Sequence, residues 1–88
     1  MTSNGKGEIK TQVSAFVRET FLVGDDTVEL KDDESLIDKG VIDSTGVLEL
    51  VSFIEETFAI KVEDEDLVPE NLDSLDKVTE YIHRKTLQ

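Results

Sequence analysis

Asp43-Ser44-Thr45-Gly46-Val47-Leu48-Glu49-Leu50-Val51-Ser52-Phe53-Ile54-Glu55-Glu56-Thr57-Phe58 is the stretch on which the reading of this chain turns. At about 100° per residue, Val47, Leu50, Val51, Ile54 and Phe58 fall within about 100° of one another, a stripe that a helix lays on a core. Thr45, Glu49, Ser52 and Glu56 lie opposite, with Leu48 and Phe53 on the flanks. Asp43 precedes the first turn, where its carboxylate is suited to accept from N–H groups that have no intrahelical partner. Ser44 then takes the first helical position with its hydroxyl outward, at the end of the helix whose dipole favours a negatively charged group. A serine there, taken alone, reads as an ordinary helix-start residue, and only its context argues for more.

Working outward, Ile9, Val13, Phe16, Val17 and Phe21 form a second stripe of helical period, which predicts a helix over 8–22 ending near Gly24. The polar, Gly-rich residues 1–7 are expected to be a loose N-terminus. From Asp25 to Asp43 runs a long connection carrying Asp25, Asp26, Glu29, Asp32, Asp33 and Glu34. Loops of that length are functional or disordered. Here Leu30, Leu36, Ile37, Val41 and Ile42 are expected to pin it to the core, with a short turn at Ser35-Leu36-Ile37. After Phe58, the segment Glu63–Val68 suits one helical turn that Pro69 stops. A last helix is predicted from Asp73-Ser74 through Leu75, Val78, Tyr81 and Ile82, with His83, Arg84 and Lys85 at the end that favours positive charge. Residues 86–88 are expected to fray. The fold class is therefore all-α: a small four-helix bundle of three main helices and one short one, spanning 8–85, with a long ordered loop between the first two.

Charge and composition remove whole classes of function. With 21 Asp+Glu against 9 Lys+Arg among 88 residues, the net charge is −12. Phosphate backbones and anionic bilayers repel such a chain, so neither nucleic acid nor membrane insertion is expected, and basic protein surfaces become the natural partners. Apolar residues reach 38% and aromatics 6%, so folding rests on the patterning described above. The chain has no Cys and one His. Neither a catalytic triad nor a zinc site can be assembled, and His83 reads as an exposed surface residue. Asp32-Asp33-Glu34 and Asp64-Glu65-Asp66 lack calcium-loop spacing, and Glu55-Glu56 face water without the burial that acid–base chemistry needs. No catalytic or metal residues are assigned. No run approaches the roughly 18 apolar residues of a membrane span, and a signal-peptide core is missing, so a cytoplasmic monomer is the expectation.

Leu36-Ile37-Asp38-Lys39-Gly40-Val41-Ile42-Asp43-Ser44, followed by Val47-Leu48-Glu49-Leu50-Val51 and Phe53-Ile54-Glu55-Glu56-Thr57-Phe58, resembles the acyl carrier and peptidyl carrier protein family over residues 8–85. The resemblance implies that Ser44 carries a covalent 4′-phosphopantetheine arm derived from coenzyme A, with Asp43 as its companion acid. It implies that Glu49, Glu55 and Glu56, with Thr45, Leu48 and Ser52, meet basic patches on partners. Those partners would be a phosphopantetheinyl transferase, an acyl- or aminoacyl-adenylating ligase and downstream acyl-transfer or condensing enzymes, to which the thioester-bound cargo is delivered. The protein itself would not be an enzyme. Thr45, Gly46 and Ser52 replace the Leu, Asp and Met common in fatty-acid carriers, and Asp-Ser-x-Gly is closer to D-alanyl carriers and to stand-alone carriers loaded by adenylating ligases. Close approach of a partner or of the arm is a reason to keep Gly46, and Val47, Val51, Ile54, Leu36 and Ile37 are candidates to part around an acyl chain. Asp73-Ser74-Leu75 matches the family tripeptide better than Asp43-Ser44-Thr45 does, but the helix behind it carries Lys77, Arg84 and Lys85 rather than an acidic face, so Ser74 or Asp73 reads as an N-cap. The rival reading is an acidic interaction module that has no prosthetic group and uses the same helix.

Overall fold

The computed structural model describes residues 5–23 and 29–87. Helix α1 spans Lys6–Phe21, α2 Ser44–Phe58, α3 Pro69–Leu72 and α4 Leu75–Thr86, with one 3₁₀ turn at Asp64–Asp66. Among the described residues there is no strand, so the all-α expectation holds.

Helix α1 packs chiefly on α4, and α2 closes over both. Ile9, Val13 and Val17 of α1 meet Leu75, Val78, Tyr81 and Ile82 of α4, and Leu50 and Ile54 of α2 complete a core that is fully buried at most of these positions. Val47, Val51 and Phe58, placed on the core stripe by periodicity, are half-buried at its margin. Removing the buried side chain at Leu50 or Ile54 would cost about 2–5 kcal/mol.

The loop is ordered where it is described, and backbone chemistry explains why. Leu36, Val41 and Ile42 are buried, whereas Ile37, expected to anchor, is 46% exposed. What holds its neighbourhood is Asp73: its carboxylate accepts from Ser35 Oγ at 2.6 Å and from the Ile37 N–H at 3.1 Å, and its carbonyl accepts from the Leu36 N–H at 2.7 Å. The Asp76 N–H donates to the Asp32 carbonyl at 2.9 Å, and Lys10 bridges Asp32 and Asp76. The loop is thereby stapled across the start of α4, and the turn over residues 36–40 closes with Gly40 at φ 75°, where a side chain would be strained.

Several boundaries differ from expectation. Helix α1 begins at Lys6, inside the stretch expected to be loose, and Lys6 pairs with Glu80 at 2.7 Å; residues 1–4, and the expected stop at Gly24 with Asp25 and Asp26, lie outside the described residues. Thr86 is still helical, Leu87 caps α4, and Gln88 lies outside the described residues. Pro69 bounds the turn before it, as expected, and also starts a helix. Val68 is extended, as the residue before proline must be, and Pro69 takes the first helical position, where its missing N–H costs nothing. The helical turn expected within 63–68 is the 3₁₀ turn, and the short α-helix that begins at Pro69 is additional to it. That turn is tied to α4 by the Tyr81 hydroxyl, which donates to Asp66 at 2.7 Å. This bond, first among several, holds the Asp66 carboxyl below its usual range, while burial and then Asp66 push the Tyr81 phenol up. His83 is half-buried rather than exposed.

Candidate functional site

The start of α2 is built as its sequence predicts. Asp43 is extended, and its Oδ1 accepts from the Gly46 N–H at 2.7 Å, capping the helix. With the cap supplied by Asp43, Ser44 is left exposed at the first helical position, and its hydroxyl has no hydrogen-bond partner among the described residues. The N–H groups of Ser44 and Thr45 likewise find no acceptor there. An exposed hydroxyl beside free N–H groups at the positive end of a helix dipole accommodates an esterified phosphate without displacing any existing bond.

The second Asp-Ser pair is arranged the other way round. Ser74 is itself the N-cap of α4, its hydroxyl accepting from the Lys77 N–H at 3.1 Å, and it is 3% exposed. Asp73 is occupied with the loop. This serine is neither reachable nor free.

Along α2, Thr45, Leu48, Glu49, Ser52 and Glu56 are all exposed, Leu48 to 59%. Glu49 and Glu56 make no ion pair or hydrogen bond among the described residues. Glu55 departs from the expected set. It is half-buried, and its carboxylate accepts from the Val62 N–H at 2.9 Å, so it ties the segment after α2 back onto the helix. Periodicity alone could not show this, because the partner is a backbone group in an irregular segment.

Gly46 also has a different role from the one expected. It is buried, and a Cβ there would lie 2.8 Å from Phe21 Cε1 and 3.2 Å from Ile42 Cγ2. The glycine therefore admits the Phe21 ring at the end of α1, which seats the first turn of α2, rather than clearing a path for a partner.

An apolar pocket of about 80 Å³ opens beside the site, lined by Ile37, Val47, Leu67, Val68, Pro69 and Leu72. Val47 lies one turn, about 5 Å, along the helix from Ser44. Of the side chains expected to part for a cargo, only Ile37 and Val47 line it. Val51 does not, and Leu36 and Ile54 are 1% and 0% exposed because they face the core. Among the described residues no His, Cys, Asp or Glu cluster is placed to hold a metal, and no helix is long and apolar enough to cross a membrane.

A family model described as a phosphopantetheine attachment site matches residues 13–82. A D-alanyl carrier protein of Streptococcus uberis is 37% identical over 70 residues, covering 80% of this chain and 84% of that protein.

Proposed function

Because the chain belongs to the phosphopantetheine-attachment family and is a carrier protein, we propose that Ser44 is the attachment residue and that the protein delivers a short acyl or aminoacyl group to partner enzymes. The observation that carries this reading is the freedom of the Ser44 hydroxyl beside a buried and engaged Ser74. The group of the family is 4′-phosphopantetheine, whose terminal thiol supplies a thioester linkage that a Cys-free chain otherwise lacks.

The chain's own residues then position and select. Asp43 fixes the first turn so that Ser44 projects outward, and the N–H groups of Ser44 and Thr45 favour a negatively charged ester. Leu48, exposed one turn beyond Ser44, offers an apolar contact, and Glu49 and Glu56 offer charge for steering basic partners. Those partners are a phosphopantetheinyl transferase, an adenylating ligase and acyl-transfer enzymes. The pocket of about 80 Å³ holds only a few heavy atoms and suits a small cargo, for which D-alanine, named by the relative, is the first to test.

Co-expression with a broad-specificity transferase, followed by intact-mass measurement, tests the reading. The native chain and Ser74→Ala gain one phosphopantetheinyl group and Ser44→Ala gains none. Retention of the gain in Ser44→Ala would refute the assignment.

A further inference from the structure

The first turn of α2 has one buried residue, Gly46, and the next along the helix are Leu50 and Ile54. Gly46 is held from two directions. Its N–H donates to the Asp43 cap at 2.7 Å, and its Cα faces the Phe21 ring so closely that a Cβ would lie 2.8 Å from Cε1. Phe21 in turn meets Phe16 edge-on at 5.9 Å, and Phe16 stacks on Phe53 with ring centroids 4.3 Å apart and planes 13° from parallel. Gly46 and Phe53 are seven residues apart, about 10 Å along the axis of α2. Phe21 and Phe16 of α1 therefore grip α2 at two separated points, and two points fix the direction of a rod where one leaves it free to pivot.

We propose that Phe21 is a positioning residue for the modification of Ser44, acting through Gly46 to fix the direction in which the serine projects. The inference rests on the assignment of Ser44 above and deepens it. Ser44 and Gly46 are about 200° apart around the helix, so the ring backs the turn and does not approach the hydroxyl. In the modification, Ser44 Oγ forms a bond to a phosphorus of the coenzyme A pyrophosphate and the bond from that phosphorus to the bridging oxygen breaks. Adenosine 3′,5′-bisphosphate leaves, and the hydroxyl proton passes to a base of the transferase. Such a displacement depends on where the nucleophile sits: a misplacement of about 1 Å can cost about 100-fold in rate. A Cβ at residue 46 must open a 2.8 Å contact toward the ordinary 3.4 Å, and because Phe16 backs the ring, the first turn is what yields. The stack of Phe16 on Phe53 meanwhile holds the rest of α2, with Leu48, Glu49 and Glu56, where it was.

The test is single-turnover modification of the apo chain by excess phosphopantetheinyl transferase with coenzyme A, which gives each variant a maximal rate and a half-saturating transferase concentration. Gly46→Ala and Phe21→Leu, or Phe21→Met if the leucine variant loses its fold, should each lower the maximal rate about tenfold and leave the half-saturating concentration within about twofold. In the Phe21→Leu background Gly46→Ala should lower the rate no further, because the ring edge it would meet is gone. Val13→Ala, which opens the fully buried core away from this turn, should lower the melting temperature at least as much and leave both parameters unchanged. In the unmodified, isotopically labelled chain, residual dipolar couplings of the Ser44 and Thr45 N–H vectors should change in Phe21→Leu while those of residues 50–56 keep their native values. A native maximal rate in either single variant, an undiminished Gly46→Ala penalty in the Phe21→Leu background, an effect confined to the half-saturating concentration, an equal rate loss in Val13→Ala, or native couplings at Ser44 and Thr45 would each overturn the proposal. Ser44→Ala in the same assay separates the two readings. Modification that persists there removes the Ser44 assignment, whereas modification lost there, with native rates in the other variants, removes only the role of Phe21.

Discussion

The dipeptide Asp-Ser occurs twice at the start of a helix in this chain, and the two copies have opposite fates. At Asp43-Ser44 the aspartate takes the cap, accepting from the Gly46 N–H, and the serine falls one residue inside the helix with its hydroxyl exposed. At Asp73-Ser74 the register shifts by one: the serine takes the cap and is buried, and the aspartate turns outward to hold Ser35 and Ile37 of the loop. Which of two adjacent residues caps the helix thus decides whether the serine is available for chemistry or spent on structure. The surroundings differ in the same sense. Helix α2 carries no basic residue, and α4 carries Lys77, His83, Arg84 and Lys85.

If that contrast is correct, Asp73→Ala should be the most costly change at either pair, because it strips hydrogen bonds from Ser35 and Ile37 and releases the loop. A loss of about 3 kcal/mol in urea unfolding is expected, against about 1 kcal/mol for the cap lost in Asp43→Ala. Equal losses would break the contrast. Charge reversal at Glu49 and Glu56 should next slow transferase modification about tenfold at low salt, with the penalty shrinking as salt is added, whereas reversal at Asp76 and Glu80 of α4 should leave the rate unchanged. Gly46→Ala should cost about 1 kcal/mol, since the clash with Phe21 outweighs the gain in helix propensity. Placed in a Phe21→Ala background, the same substitution should become stabilising. The smallest effects distinguish the serines: about 1 kcal/mol for Ser74→Ala and under about 0.5 kcal/mol for Ser44→Ala, by thermal unfolding.

The helices were legible because their stripes repeat with helical period, and the α2 cap because Asp43 directly precedes the apolar pattern. The stop before Pro69 is legible in the sequence, but the helix that Pro69 begins is not, because its four residues are too few to show a helical period. The structural roles of Gly46 and Glu55 are not legible because their partners, Phe21 and the Val62 N–H, are brought to them by packing between segments. The Asp73 clamp was hidden because it joins residues 36 and 38 positions apart through backbone and side-chain atoms together. Stacking of Phe16 on Phe53 left a trace in the sequence only as two aromatics at the margins of two stripes.

Peptide mapping of the transferase-treated chain tests the central claim most directly. Trypsin releases residues 40–61, which contain Ser44, separately from residues 62–77, which contain Ser74. Fragmentation is predicted to place the entire phosphopantetheinyl adduct on Ser44 within the first peptide, with the second unmodified. An adduct on Ser74, or on Thr45 or Ser52 in place of Ser44, would contradict the account.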